Sequence, residues 1–231
     1  MNMNFTDIPL RLPLGNILVD TFLHGGVLMW PLFGLSLVTL AIIIERTVWW
    51  SRERRNRDTK RLNRIYLALA HGDQAGAIQL AHGSSDPRIR VVAHGLEHSE
   101  IDIVVAMQVT LAEETKLGRR FLDVLDTAIT LAPLLGLLGT VTGIMRSFHF
   151  VGGDQELAAS KVSGGIGEAL IATAFGLGIA ITTLIPFNAF GSRADELRNE
   201  LETVIGNVRL VVEKARRNAR SGVLSAVSTE E

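Results

Sequence analysis

Apolar and polar positions separate along this chain into long greasy runs and strongly charged stretches between them. Three runs exceed the roughly 20 predominantly apolar residues that a helix needs to cross a ~30 Å hydrocarbon core. They predict spanning helices at 25–50, 127–149 and 162–190. In the first, Trp30 and the Trp49–Trp50 pair stand about 29 Å apart at ~1.5 Å of rise per residue, the separation of two interfacial aromatic belts. Glu45 and Arg46 fall in its last turns, where Arg46 is expected to snorkel to the surface with Glu45 as its partner. The second run carries no charge from Thr127 to Met145, and the third a single one, Glu168.

The basic residues orient these spans. Arg46, Arg52, Arg54, Arg55, Arg57, Lys60, Arg61 and Arg64 follow the first run, and Arg193, Arg198, Arg209, Lys214, Arg216, Arg217 and Arg220 follow the third. Only Arg11, Arg146 and Lys161 fall on the other side. The positive-inside rule then assigns the 51–126 loop and the 191–231 helix and tail to the cytoplasm. The 1–24 segment and the 150–161 link, with its loop-like Gly152-Gly153-Asp154, face the opposite side. The first residues lack the basic region and apolar core of a cleaved signal, so the first span is expected to act as an uncleaved insertion signal. The mix of Leu, Ile, Pro and Gly before it suits a segment lying near a membrane surface.

The polar stretches read as helical, and no strand pattern occurs. Arg52 to Ala70 predicts one basic helix with Leu62, Ile65 and Leu69 at helical spacing. His82-Gly83-Ser84-Ser85-Asp86-Pro87 is a breaker cluster. From about Ile101 the pattern predicts helix through Met107, Leu111, Leu117, Phe121 and Leu125, running into the second span without a strong break. After the third span, Leu197, Leu201, Val204, Val208 and Val211 step by fours and threes, a heptad-like seam for packing either against the loop helices or within an oligomer. The expected fold is therefore an all-α integral membrane protein with three transmembrane helices and long cytoplasmic helical extensions.

Composition narrows the function classes. With 47% hydrophobic and 20% charged residues in 231, the chain is too apolar for an ordinary soluble domain and too charged to be wholly buried in lipid. A net charge of −1 gives no case for nucleic-acid binding. The absence of cysteine excludes disulfides, thiolate metal sites and a cysteine nucleophile. Gly165-Ile166-Gly167 lacks the third glycine and the preceding strand of a dinucleotide fingerprint. His94 and His98, four apart with Glu97 beside them, could hold a metal, but solvated helix residues are the simpler expectation. No cofactor, metal or enzymatic activity is expected.

Glu168 carries the candidate chemistry. A carboxylate inside an apolar span is expensive unless it faces protein or water, and proton carriage is its commonest physical use. The bland alternative is an acid wetted near the membrane interface. Ile171, Ala172, Phe175 and Thr182 continue its face, a stripe that could line a narrow pore around another apolar helix. On the second span Pro133, Thr140 and Ser147 recur every seven residues and share a face, although each hydroxyl could equally bond back to its own helix. Gly139-x-x-x-Gly143, and Ala172-x-x-x-Gly176-x-x-x-Ala180 on the third span, permit close helix approach.

These motifs bring a known family into view. Met29-Trp30-Pro31-Leu32 leading to Ile42-Ile43-Ile44-Glu45-Arg46 resembles the first span of ExbB-type proteins. Ala132-Pro133-Leu134-Leu135-Gly136-Leu137-Leu138-Gly139-Thr140-Val141-Thr142-Gly143-Ile144-Met145 resembles their second. Gly165-Ile166-Gly167-Glu168-Ala169-Leu170-Ile171-Ala172-Thr173-Ala174 resembles their third. The resemblance to the MotA/TolQ/ExbB superfamily covers all three spans, roughly half the chain. It implies a ring-forming homopentamer around a central pore, within which sit single helices of an ExbD-like partner. Protons would flow down the inner-membrane gradient, turn one set of subunits against the other, and energise a TonB-like protein. By the same resemblance Glu168 is the pore-facing acid, and Thr140 and Thr173 belong to the proton path.

On an ideal helix Thr173 lies about 140° around from Glu168, so the two cannot face one axis squarely unless the helix is distorted or Thr173 meets the second span of a neighbouring subunit. Thr142 after Gly-Thr-Val, Arg146 and the Phe187-Asn188-Ala189-Phe190 ending depart from the usual family pattern, which bears on the branch rather than the superfamily. A Tol-type envelope-integrity subunit and an inert membrane scaffold are the competing functions. A flagellar stator is disfavoured, because that branch typically has four spans.

Overall fold

The computed structural model describes residues 25–99, 102–149 and 155–227, with backbone alone at 149, 155–162 and 219–227. The expected 1–24 segment and the glycine-rich part of the 150–161 link lie outside the described residues. Every described element is helical: α1 Met29–Arg55, α2 Thr59–Ala70, α3 Gln74–Ala81, α4 Pro87–Glu97, α5 Ile103–Gly118, α6 Leu122–His149 and α7 Gln155–Val227. The chain divides into two compact units. One joins the residues up to Ile43 with Asp123–Pro186, and the other joins Ile44–Leu122 with the chain from Phe187 onward.

The first unit contains the apolar runs. Three helical stretches are long and apolar enough to cross a membrane, within Met29–Arg55, Ile103–Phe148 and Ser163–Asn218. Only 17%, 28% and 22% of their most apolar windows are buried, so most of that greasy surface is turned outward, as lipid or a neighbouring subunit requires. What is buried is small or sits at helix contacts. Met29, Leu32, Ala132 and Ala172 form the core, with Leu35, Leu135, Phe175 and Ile179 packed on it. The third helix begins at Gln155, seven positions before the expected start at 162, so the end of the expected link is helical.

The second unit is a polar helical assembly, and its chain ends are set by aspartates. Asp58, Asp73, Asp86 and Asp102 each accept a backbone N–H from the first turn of α2, α3, α4 and α5, satisfying donors that helix geometry leaves unpaired. Pro87 follows Asp86 at the first helical position, where its missing N–H costs nothing. The expected single helix from Arg52 to Ala70 is therefore two. The chain leaves α1 after Arg55, and Asp58 starts α2 by accepting from Arg61 N at 2.9 Å. Leu62, Ile65 and Leu69 are buried as their spacing predicts. Leu197, Leu201, Val204 and Val208 are likewise buried, so the seam after the third span packs inside this unit of its own chain.

Two further expectations need correcting. The helix entering the second span breaks at 119–121, where Phe121 adopts φ 65°. Arg46 explains how the break is tolerated. It does not snorkel but is 1% exposed, donating to Leu117 O at 2.9 Å and to Glu45. It also lies over the Trp49 and Phe121 rings at 5.0 and 5.8 Å. A guanidinium thus adds a second donor to a carbonyl at the end of α5, which also accepts from Arg120 N at 3.3 Å, and lies over the ring of the residue that makes the turn. Trp50 is not an interfacial anchor either. It is 3% exposed and lies 4.8 Å edge-on to Trp49, inside the second unit.

A buried charge cluster ties this unit together. Arg90 grips Glu114 through two bonds of 2.7 and 2.6 Å, and Arg88 grips the fully buried Asp86 through two of 3.0 and 2.7 Å. Asp86 also accepts from Asp58 N at 2.9 Å. Burial opposes its charge, yet the Arg88 and backbone donors hold its carboxyl below the usual range. Glu53 is different. It is buried with Oε1 unpartnered among the described residues, and burial pushes its carboxyl up to about 7 against the pull of Arg90.

Candidate functional site

The site is built on the contact between the second and third spans within the first unit. Small residues on both helices let the backbones close. A Cβ on Gly136 would lie 2.9 Å from Thr173 Cα and 3.1 Å from Ala172 O, and one on Gly139 would lie 2.7 Å from Ala172 Cβ. One on Gly143 would lie 2.8 Å from Ala169 Cβ, and one on Gly176 would strike the carbonyl oxygen of Ala132. The expected packing residues Gly139, Gly143 and Gly176 therefore all sit on one intrachain contact, with Ala180 buried further along. Close approach brings Thr173 Oγ1 within 2.8 Å of Gly136 O, to which it donates. An interhelical hydrogen bond in hydrocarbon is worth about 0.6 kcal/mol on average, up to ~1.7. The angular gap between Thr173 and Glu168 has its structural account here. Thr173 turns to the second span of its own chain and leaves Glu168 on another face.

Glu168 sits thirteen residues after Gln155, the start of the third helix, with its side chain about one-third exposed. Its carboxylate presses on Gly26, just ahead of α1. Gly26 has φ +75°, and any Cβ there would collide with Glu168 Oε1. The left-handed backbone conformation favours glycine, and a Cβ there could be admitted only by displacing the Glu168 carboxylate. From the second span Arg146 Nη1 reaches Glu168 Oε1 at 3.5 Å, a loose ion pair. Glu168, Arg146, Thr142, Gly139, Leu138 and Leu28 line a half-open cleft of about 240 Å³. The acid thus has a cation beside it in a cleft whose walls are mostly apolar.

The other predicted residues fall in distinct places. Thr140 donates to Leu137 O at 2.7 Å and Ser147 to Gly143 O at 2.9 Å, each bonding back to its own helix. Ser147 is buried against Gly165 of the third span, whereas Thr140 and Pro133 are half-buried. Ala172 is spent on the contact with Gly139, and Phe175 packs on the core. Thr182 is exposed, donates to Gly178 O at 2.8 Å, and lines an apolar groove with Met29, Leu32, Phe33 and Phe175. Two participants went unassigned in the sequence. Arg146 was visible as a charge among apolar residues, and its distance from Glu168 along the chain gave no pairing. Gly26 carried no signal, because its demand for glycine arises only once α1 meets the third span.

Residues 84–203 match the sequence profile of the MotA/TolQ/ExbB proton channel family, a stretch that includes the second span and the third. The chain is 38% identical over 174 residues to the ExbB-like 3 biopolymer transport protein of Synechocystis sp., covering 73% of this chain and 82% of that one. It is 30% identical over 191 residues to the biopolymer transport protein ExbB of Salmonella typhimurium, covering 76% of each. It is 41% identical over 92 residues to the Tol-Pal system protein TolQ of Pseudomonas aeruginosa, covering 40% of each. On the matched profile, the extent of these identities and the three membrane-length helices, the chain belongs to the MotA/TolQ/ExbB proton channel family as an ExbB-like member.

Proposed function

We propose that this protein is the multi-span subunit of a proton-driven motor in the inner membrane, with its N-terminus outside and its C-terminus in the cytoplasm. It works with a single-span ExbD-like partner and delivers energy to a TonB-type system for outer-membrane transport. Glu168 takes up and releases the proton, and Thr140 and Thr173 flank its path. The protein assembles as a pentamer whose second and third spans surround the partner helices. The carrying observation is Glu168 itself, an acid on a membrane helix held between Gly26 and Arg146. It stands on a helix pair locked by small residues and by the Thr173–Gly136 bond. Such a rigid pair presents the acid at a fixed position while a partner helix moves past it.

A second client is supported by one observation, the 41% identity to TolQ over 92 residues. In that reading the same proton chemistry serves envelope integrity. Deleting the gene separates the two. Failure of iron-siderophore growth with normal detergent resistance supports the TonB-type client. The reverse pattern moves the assignment to the Tol type. Within either, Glu168→Gln is expected to abolish the phenotype while the complex still co-purifies with its single-span partner. Normal growth in that variant refutes the proton-motor reading.

A further inference from the structure

The second unit carries a group of side chains that proton transport does not use. The last turn of α4 and its cap read His94-Gly95-Leu96-Glu97-His98. We propose that His94, Glu97 and His98 form a binding site for a divalent first-row transition-metal ion, Zn²⁺ foremost. The three side chains each offer one ligand atom, and these atoms lie within 4.8 Å of one another. Around a tetrahedral Zn²⁺ with bonds of ~2.0–2.1 Å, ligand atoms stand about 3.3 Å apart. Side-chain rotations that move an atom by about an ångström therefore close the site without any change of backbone.

Independent features point the same way. His98 Nδ1 lies 3.0 Å from the carbonyl oxygen of His94. A carbonyl only accepts, so Nδ1 is the protonated nitrogen, and in the neutral ring Nε2 is left with a free lone pair. A backbone carbonyl holding one ring nitrogen is the usual outer support of a metal-bound histidine. The two imidazoles already lie close together, with centroids 4.4 Å apart and planes tilted by 44°. The site also sits at the C-terminal end of α4, where the unpaired carbonyls give a negative potential that favours a cation.

The face is held in register from behind. Val92 and Leu96 are buried on the side of α4 turned away from the ligands, and Gly95 packs directly on Met107 with its Cβ position 3.0 Å from Ile103 O. Glu97 and His98 are exposed and His94 is half-buried, so the ligands turn outward from a fixed helix. Two imidazoles and one carboxylate suit zinc better than the hard cations Mg²⁺ and Ca²⁺. Three protein ligands leave a fourth position for water or for a donor from another molecule.

The test uses the full-length protein in its detergent-solubilised assembly, with any affinity tag removed and bound metal stripped by a chelator. Zn²⁺ is titrated by calorimetry, and retained metal is counted by elemental mass spectrometry. One Zn²⁺ per chain is expected. Since disturbing even the outer partner of a metal ligand costs about 10- to 100-fold, His94→Ala and His98→Ala should each weaken binding at least about tenfold. Glu97→Gln should weaken it less, and His71→Ala and His82→Ala should leave it unchanged. Circular dichroism checks that each variant keeps its helicity, which substitutions on this outer face should preserve. Absence of retained Zn²⁺ in the wild-type protein, or equal retention by the His94→Ala/His98→Ala double variant, overturns the proposal.

Discussion

Adding one methyl group at Gly136 tests whether the second and third spans are held at the separation described. In Gly136→Ala the new Cβ meets Thr173 Cα at 2.9 Å and Ala172 O at 3.1 Å. Both are backbone atoms and cannot rotate away. Carbon contacts settle near 3.5–4.0 Å, so the helices must part by roughly 0.6–1 Å. The Thr173 Oγ1–Gly136 O bond, now 2.8 Å, then stretches to about 3.5 Å and is effectively lost. Overpacking costs about 1–3 kcal/mol and the interhelical bond ~0.6 kcal/mol more. The control is Gly178→Ala on the third span, where nothing lies within 4 Å of an added Cβ. Both changes carry the same gain in helix propensity, so the difference between them isolates the contact at about 1.5–3.5 kcal/mol. At ~2–4 °C per kcal/mol for a chain of this size, thermal denaturation of the solubilised assembly should separate the two variants by roughly 5–10 °C. Coincident transitions would show that the helices do not pack through Gly136, and would remove the structural basis for placing Glu168.

Other outcomes follow from single groups. Gly26→Ala should impair transport nearly as severely as loss of Glu168 while the complex still assembles, because a left-handed alanine costs about 1–2 kcal/mol and its methyl displaces the Glu168 carboxylate; full growth of the variant would refute this. Glu53, raised from 4.5 to about 7, binds its proton more tightly in the folded state, so its contribution to stability falls as pH rises from about 4.5 to 7 and stays low above. Glu53→Gln should therefore match the wild type near pH 4.5 and exceed it by about 1–3 kcal/mol at pH 8, measured by denaturation at both values; parallel pH dependence in the two proteins would count against a buried carboxyl. Asp86, held below its ordinary 3.8, has the opposite sign. Its stabilisation is complete above that value and fades as pH falls below it, and Asp86→Ala should cost about 3–5 kcal/mol at neutral pH by stranding Arg88 and removing the α4 cap. Unchanged urea sensitivity of that variant would contradict the cluster's role.

Much of this architecture could be read from the order of residues, and the exceptions have physical causes. The spans were legible because twenty-residue apolar runs have few alternatives to crossing lipid. The seam at Leu197, Leu201, Val204 and Val208 was legible because burial on one helix face forces its spacing. Glu168 stood out because a charge among apolar neighbours demands compensation. What compensates it did not. Arg146 and Gly26 are far from Glu168 in sequence and meet it only through tertiary packing. Arg46 misled for a related reason. A cation at the end of an apolar run ordinarily reaches for water, and here a helix end at Leu117 offered a buried carbonyl instead. The break at Phe121 was illegible because the sequence puts a bulky aromatic residue, not glycine, in the left-handed region. Cation–ring contacts from Arg46 and Arg120 accompany it there.

The central claim is that a proton passes by way of Glu168, and proton uptake into sealed vesicles measures it most directly. The assembled protein and its single-span partner would be reconstituted with an internal pH dye and an imposed gradient. The wild-type complex should acidify the lumen, Glu168→Asp should retain part of that flux, and Glu168→Gln should reduce it to the level of empty vesicles with subunit composition unchanged. Flux through Glu168→Gln equal to the wild type would mean that protons take another route.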